Sequence, residues 1–267
     1  ATGGGAAMER ARLAELLARG ERYVGLQGGG MDQTVSLCAR GGHALRIGFR
    51  PTLGITPVPF PADWRVVVAS SMVDAAKAAG AREAYNDRVR ECREALARFA
   101  AAHSPDSAPT DYAELLSRWE AGEAIRLAEG TLDDMLFRRF RHVVSEAARV
   151  EGAVAAMLAG DLARFGELVS ASHASLRHDY VVSCPELDEL VHIAEAAGAA
   201  GARLTGAGFG GCIVAATQAD HAEGVIHALW QDFYRPRSVS TRHRNQVLFL
   251  ARAAGGARLE AVPEGHA

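Results

Sequence analysis

Apolar residues recur at helical spacing over most of the chain. Leu13, Leu16 and Leu17 share one face of a helix that the pattern predicts from Met8 onward. The segment Ser104–Thr110, rich in Pro, Ser and Asp, interrupts the pattern and is the predicted internal boundary. Further helices are predicted for residues 83–103, across 111–178, from about 183, and over about 220–233.

Short apolar runs bounded by glycine and proline predict strands. Residues 34–70 are predicted to form strands and turns, with apolar runs at Arg46–Phe49 and Val66–Ala69. Two later strands are predicted at Cys212–Ala216 and Gln246–Ala251. Helices and strands follow one another without strict β–α–β alternation, so the predicted fold class is α+β.

Composition and charge argue against several kinds of partner. The net charge is −3 and no basic block is present, which disfavours nucleic-acid binding. No apolar run approaches the roughly 18 residues that a membrane span needs, and the N-terminus lacks the order of a signal peptide. The 4 cysteines are scattered without a CxxC pair, as in reduced cytoplasmic proteins, and predict neither disulfides nor a metal site.

Three segments carry residues suited to chemistry. In GLQGGGMDQ, Gly25–Gln33, the glycines would let the backbone approach a ligand and expose the Asp32 carboxylate; a tight turn with a solvated or capping Asp is the alternative. In LTGAGFGGC, Leu204–Cys212, backbone N–H groups would face an anion or another loop, or the segment is a plain turn. Tyr85 opens a charged helix, where a half-buried packing role is the alternative.

Taken in order, these segments resemble the galactokinase family of the GHMP kinase superfamily. ERYVGLQGGGMDQ (21–33) resembles a family segment that ends in SGxMDQ, and residues 66–95 resemble the strand and helix that follow it. The resemblance extends from about residue 10 to residue 251. Three later stretches also match: RHVVSE (141–146), SHASLRHDYVVSCPELDELV (172–191) and GARLTGAGFGGC (201–212).

The resemblance implies a fold and an activity. It implies a partial N-terminal domain, like ribosomal protein S5 domain 2, over residues 1–104, and a ferredoxin-like C-terminal domain with added helices over 111–267. It also implies transfer of the γ-phosphoryl group of ATP to the anomeric hydroxyl of galactose, with Mg²⁺ as the metal cofactor. The alternative is a non-catalytic sugar sensor or interaction module derived from such a kinase.

The same resemblance assigns roles to residues. Asp32 matches the acid that lies at the sugar C1 hydroxyl as base or charge stabiliser. Gly29 matches a main-chain sugar contact, and Tyr85 matches a side chain that contacts sugar hydroxyls. The loop expected beside the phosphates contains Gly206, Ala207, Gly208, Gly210 and Gly211.

Some positions depart from the family pattern. Gly28 replaces a serine, and the strand at 66–70 continues as ASSMVDAAKAA, which is closer to N-acetylgalactosamine kinases and leaves the preferred hexose open. A GRxNLIGEHTDY-like stretch and a PxGxGLSSSA phosphate loop have no match in this sequence. This chain alone is therefore expected to be inactive. It is also expected to associate with itself through an uncovered edge of the sheet at residues 34–70.

Overall fold

The computed structural model describes residues 3–23, 29–74 and 80–258, and it divides into two compact units. The smaller unit consists of the chain up to Phe60 together with the chain from Ala253 onward, and the larger unit is Pro61–Arg252. The predicted boundary at Ser104–Thr110 lies inside the larger unit, so the division into family domains at that point stays a prediction.

The smaller unit contains two helices and a β-hairpin. These are α1 (Gly3–Tyr23), α2 (Met31–Cys38), β1 (His43–Gly48) and β2 (Gly54–Pro59). The expectation that residues 34–70 form one set of strands is wrong in two respects. Residues 34–38 belong to α2, and the predicted run at Val66–Ala69 pairs with strands of the larger unit instead of with this hairpin.

The predicted apolar face of α1 is exposed. Leu13, Leu16 and Leu17 are 44%, 63% and 46% exposed, whereas Ala14 and Ala18 of the same helix are buried. The cause is the closeness of α2, because a Cβ added to its N-cap glycine would lie only 2.6 Å from the Cβ of Ala18. Only small side chains fit this contact, so the alanine face packs and the leucine face does not.

The larger unit is a sheet with helices packed around it, which confirms the predicted α+β class. Its four strands are ordered β4-β5-β3-β6, and all neighbours are antiparallel. The strands are β3 (Trp64–Ser70), β4 (Gly201–Thr205), β5 (Cys212–Gln218) and β6 (Leu248–Ala251). The helices are α3 (Ala81–His103), α4 (Tyr112–Arg118), α5 (Ala121–Glu129), α6 (Asp134–Ala159), α7 (Leu162–Ser175), α8 (Pro185–Ala196), α9 (Ala222–Leu229) and α10 (Arg244–Val247).

Two of these helices end in π-helical turns, Leu176–Tyr180 after α7 and Trp230–Tyr234 after α9. The helical predictions over 83–103 and 111–178 are confirmed, with short breaks between helices in the second range. Strand β4 was not predicted, because the alanine-rich residues that precede it and its own few apolar residues are more typical of the end of a helix. The sheet stabilises it, since Ala202 and Leu204 are fully buried there.

The larger unit has two apolar cores. One face of the sheet, which includes Val67 and Ile213, packs against residues of α8 and α9 such as Leu190 and Leu229. The second core joins α3 to the helices that follow it. At its centre the rings of Phe99 and Phe140 stack with centroids 4.8 Å apart.

Helix α7 approaches β4 so closely that side chains are excluded from the crossing. A Cβ added to Gly166 would lie 2.0 Å from the carbonyl oxygen of Ala200, and one added to Gly201 would lie 2.1 Å from the carbonyl oxygen of Gly166. Both obstacles are backbone atoms, which cannot move aside as a flexible side chain can. The two glycines therefore fix the separation between this helix and the edge of the sheet.

A buried arginine connects three elements of the larger unit. The side chain of Arg139 on α6 is 5% exposed, and its Nε donates to the Glu91 carboxylate of α3 at 2.6 Å. Its Nη1 donates to the main-chain carbonyl of Asp179 in the first π-helical turn. Removing one partner of such a buried pair usually costs about 3–5 kcal/mol. The arginine therefore holds α3 and the π-helical turn in a fixed arrangement.

His142 lies one turn further along the same face of α6. Its Nδ1 is 2.9 Å from the Ser175 hydroxyl, which in turn donates to the Asp179 carboxylate at 3.1 Å, and its ring stacks on Tyr180. Burial lowers the pKa of His142 below its ordinary value and outweighs the opposing charge of Glu146. The folded protein therefore holds this imidazole neutral.

The close approach of α7 and β4 at Gly166 predicts that one added methyl group strongly lowers the stability of the fold. Gly166→Ala should lower the free energy of unfolding by about 3 kcal/mol or more, because overpacking against backbone cannot relax. Gly224→Ala in α9 is the matched control, since a Cβ there meets nothing within 4 Å and a helical alanine is favoured by about 0.5–1 kcal/mol. Urea denaturation measures both. A Gly166→Ala protein as stable as the control would contradict the close approach.

His142 predicts an acid-sensitive stability. Below a pH of about 6.5 the unfolded chain binds a proton at this residue while the folded chain does not, so stability falls as pH falls. The contribution to the slope is at most about 1.4 kcal/mol per pH unit. His142→Gln should reduce the loss of unfolding free energy between pH 7 and pH 5. Part of the loss should remain in this variant, because burial also lowers the pKa of His173.

The control for this measurement is His192→Gln, which removes an exposed histidine and should leave the pH dependence unchanged. An unchanged slope in His142→Gln would show that the imidazole titrates equally in both states and would contradict the buried neutral form.

Candidate active site

The acid predicted to be catalytic lies at the start of a helix. Gly30 is the N-cap of α2 with φ 86° and ψ 17°, and Asp32 is in the first turn. The buried Thr34 donates its hydroxyl to the Gly30 carbonyl at 2.8 Å and its main-chain N–H to the same oxygen at 3.1 Å. The turn before Asp32 is therefore held by Thr34, and the carboxylate of Asp32 plays no part in capping the helix.

Asp32 is exposed, and its carboxylate has no hydrogen-bond or ion-pair partner among the described residues. The positive end of the α2 dipole is favourable for a negative charge at this position. Gly29 is also exposed, and the space where a side chain would extend from it is open. The two predicted sugar-contacting positions of the smaller unit are thus accessible on an ordered turn.

Tyr85 is half-buried in the early part of α3. Burial, helped by the nearby Cys92, raises the pKa of its phenol, so the hydroxyl stays protonated and able to donate. It has no hydrogen-bond partner among the described residues. The helix around it is held by the Glu91–Arg139 pair and by the Tyr112 hydroxyl, which donates to the Cys92 carbonyl at 2.8 Å.

The glycine-rich loop at residues 206–211 connects β4 to β5. It is held by loops on either side. The N–H of Phe209 donates to the Val182 carbonyl at 2.7 Å, and the N–H of Gly211 donates to the Val73 carbonyl at 3.0 Å. The Ser71 hydroxyl donates to the Gly211 carbonyl at 2.8 Å.

Two of its glycines are required by close approach. A Cβ on Gly208 would lie 2.2 Å from the carbonyl oxygen of Val182, and a Cβ on Gly210 would lie 2.5 Å from that of Val73. Both residues also have positive φ, at 82° and 137°. The N–H groups of Gly206 and Ala207 have no acceptor among the described residues, and both residues are exposed. The loop can therefore offer these donors to an anion.

The predicted site residues fall into two groups, one in each unit. Gly29 and Asp32 belong to the smaller unit, and Tyr85 and the loop at 206–211 belong to the larger one. In the described ranges, no three His, Cys, Asp or Glu side chains are grouped to hold a metal ion. No helix in the described part of the chain is both long and apolar enough to span a bilayer.

Sequence reasoning missed the polar face of α6. Arg139, His142, Glu146 and Arg149 follow one another at intervals of three and four residues on one side of a helix whose other side is apolar. This spacing was a usable signal, because charged residues repeated on one helical face within a packed domain pair with other elements. The partners on α3, α7 and β4 could not be identified from spacing alone.

A comparison with family profiles matches residues 153–235 to the family described as GHMP kinases C terminal. The galactokinase of Roseiflexus sp. (strain RS-1) is 38% identical over 244 residues, which are 90% of this chain and 58% of that protein. The galactokinase of Bos taurus is 37% identical over 251 residues, which are 93% of this chain and 58% of that protein. The chain thus spans somewhat more than half the length of these relatives.

Solved structures give the same result. The galactokinase of Lactococcus lactis, complexed with galactose, is similar with a TM-score of 0.76 and 31% identity, over 92% of this chain and 60% of that one. The L. major mevalonate kinase shares the fold at a TM-score of 0.50 and 20% identity. Since these similarities extend over most of the chain, it is homologous to the galactokinases of the GHMP kinase superfamily over somewhat more than half of their length.

Proposed function

We propose that this chain carries the hexose-binding and proton-accepting part of a galactokinase, which transfers the γ-phosphoryl group of ATP to the anomeric hydroxyl of galactose or a related hexose. The observation that carries the proposal is the state of Asp32. It is an exposed carboxylate without a partner among the described residues, on a turn held by Thr34. Its sequence context resembles that of the family's catalytic acid.

The chemistry needs such a group. A sugar hydroxyl is a weak nucleophile, and a carboxylate within hydrogen-bond reach can accept its proton as the bond to phosphorus forms. A carboxylate engaged in a cap or an ion pair would be less able to do this.

The remaining proposed contacts with the sugar and with ATP use hydrogen-bond donors that have no partner among the described residues. Tyr85 offers a protonated hydroxyl from a helix that the Arg139 pair holds in place, which suits a sugar hydroxyl. The N–H groups of Gly206 and Ala207 suit a phosphate oxygen of ATP. ATP supplies the phosphoryl group, and Mg²⁺, which proteins usually hold through one or two carboxylates together with the phosphates of the nucleotide, is expected to accompany it.

The proposal predicts a selective loss of turnover. In a protein completed with the N-terminal segment of a galactokinase relative, Asp32→Asn should lower kcat by a factor of about 10² or more, because positioned proton transfer is lost. The free energy of unfolding should change by less than about 1 kcal/mol, since the carboxylate makes no cap. Formation of hexose 1-phosphate and urea denaturation measure the two quantities.

Asp106→Asn is the matched control, because Asp106 is an exposed acid in the turn at residues 105–107 and should leave kcat unchanged. If Asp32→Asn retains wild-type kcat, the residue is not the base. In the 267-residue chain alone no turnover is expected with either residue.

A further inference from the structure

A cleft in the larger unit is lined by residues to which the proposed kinase reaction gives no role. It lies between α6, α7 and one face of the sheet, and its volume is about 250 Å³. Val66 pairs with Ala216 across two strands of this face, and Arg203 pairs with Val214. We propose that this cleft is a second binding site, which takes a small carboxylate with an apolar body.

Most of the cleft is apolar. The sheet contributes Val66 and Ala216, α6 contributes Val150 and Ala153, and α7 contributes Phe165. A cavity of about 150 Å³ with such walls stays dry and binds benzene. A cleft of about 250 Å³ therefore has room for an aromatic ring with a short aliphatic chain.

At one end of the cleft, several polar side chains form a hydrogen-bonded network. The carboxylate of Glu146 accepts hydrogen bonds from the Ser172 hydroxyl at 2.6 Å, from Arg203 Nη1 at 3.0 Å and from Arg149 Nε at 2.7 Å. Burial alone raises the pKa of Glu146, but these partners outweigh it and lower that pKa, so the group is ionised. Two guanidinium groups thus share one carboxylate, and the polar end keeps an excess positive charge.

Both guanidinium groups also keep unused donors. Arg149 Nη1 and Arg203 Nη2 have no acceptor among the described residues, although the two side chains are only 16% and 31% exposed. Partly desolvated guanidinium groups bind carboxylates more strongly than neutral acceptors. The charge and the open donors therefore favour an anionic head, and the apolar walls favour a hydrocarbon body.

The experiment uses the full chain and three probes that share one body: 4-phenylbutyrate, 4-phenylbutan-1-ol and 4-phenylbutylamine. Isothermal titration calorimetry should show 4-phenylbutyrate binding at least about tenfold more tightly than the alcohol, because a charge-assisted hydrogen bond is gained. The amine should bind most weakly, since it meets the excess positive charge. Absence of 4-phenylbutyrate binding, or equal binding of all three probes, would overturn the proposal.

Variants locate the binding. Arg149→Gln should weaken 4-phenylbutyrate about tenfold and leave the alcohol unchanged, whereas Arg164→Gln, which removes an exposed arginine of α7 outside the cleft, should affect neither. Ala153→Trp should block both probes by filling the apolar end, and circular dichroism checks that each variant is folded. If Arg149→Gln does not fold, Arg203→Lys, which removes the Nη2 donors and keeps the charge, replaces it. Binding that survives both the filled cleft and the loss of an arginine contradicts the site.

Discussion

The arrangement of the larger unit depends on one buried guanidinium group. Arg139 reaches from α6 to the Glu91 carboxylate of α3 and to the Asp179 carbonyl of the π-helical turn. The chain leaves that turn at Val182, whose carbonyl accepts the N–H of Phe209 in the glycine-rich loop. A continuous series of contacts therefore runs from the helix that carries Tyr85 to the proposed phosphate loop.

The physical reason for this dependence is the cost of leaving a buried charge without its partner. A guanidinium group that is only 5% exposed is costly to bury unless acceptors replace the water it has lost, so α3 and the π-helical turn must both be in place. Close backbone packing adds a second constraint. Gly208 leaves space for the Val182 carbonyl, just as Gly166 leaves space for that of Ala200. Charge and backbone contacts together position the loop, and only some of its N–H groups remain for a ligand.

Much of the helical part was predictable because apolar periodicity reports directly on which face of a helix is buried. The predictions failed where tertiary contacts override local pattern. Residues 34–38 continue a helix because Thr34 is buried against the Gly30 carbonyl, and the leucine face of α1 stays exposed because α2 leaves room only for alanine. Asp32 and the glycine loop were recognised by resemblance. The partners of the loop could not be predicted, since its contacts with residues 73 and 182 are set by the fold.

The central claim is that the residues assigned here bind a galactose-type sugar. Saturation-transfer NMR on the purified chain, with galactose, N-acetylgalactosamine and glucose at millimolar concentration, tests it most directly. The account predicts transfer to galactose or N-acetylgalactosamine, a weaker signal in Tyr85→Phe, and little transfer to glucose. Equal signals from all three sugars, or no signal from either galactose-type sugar, would contradict it.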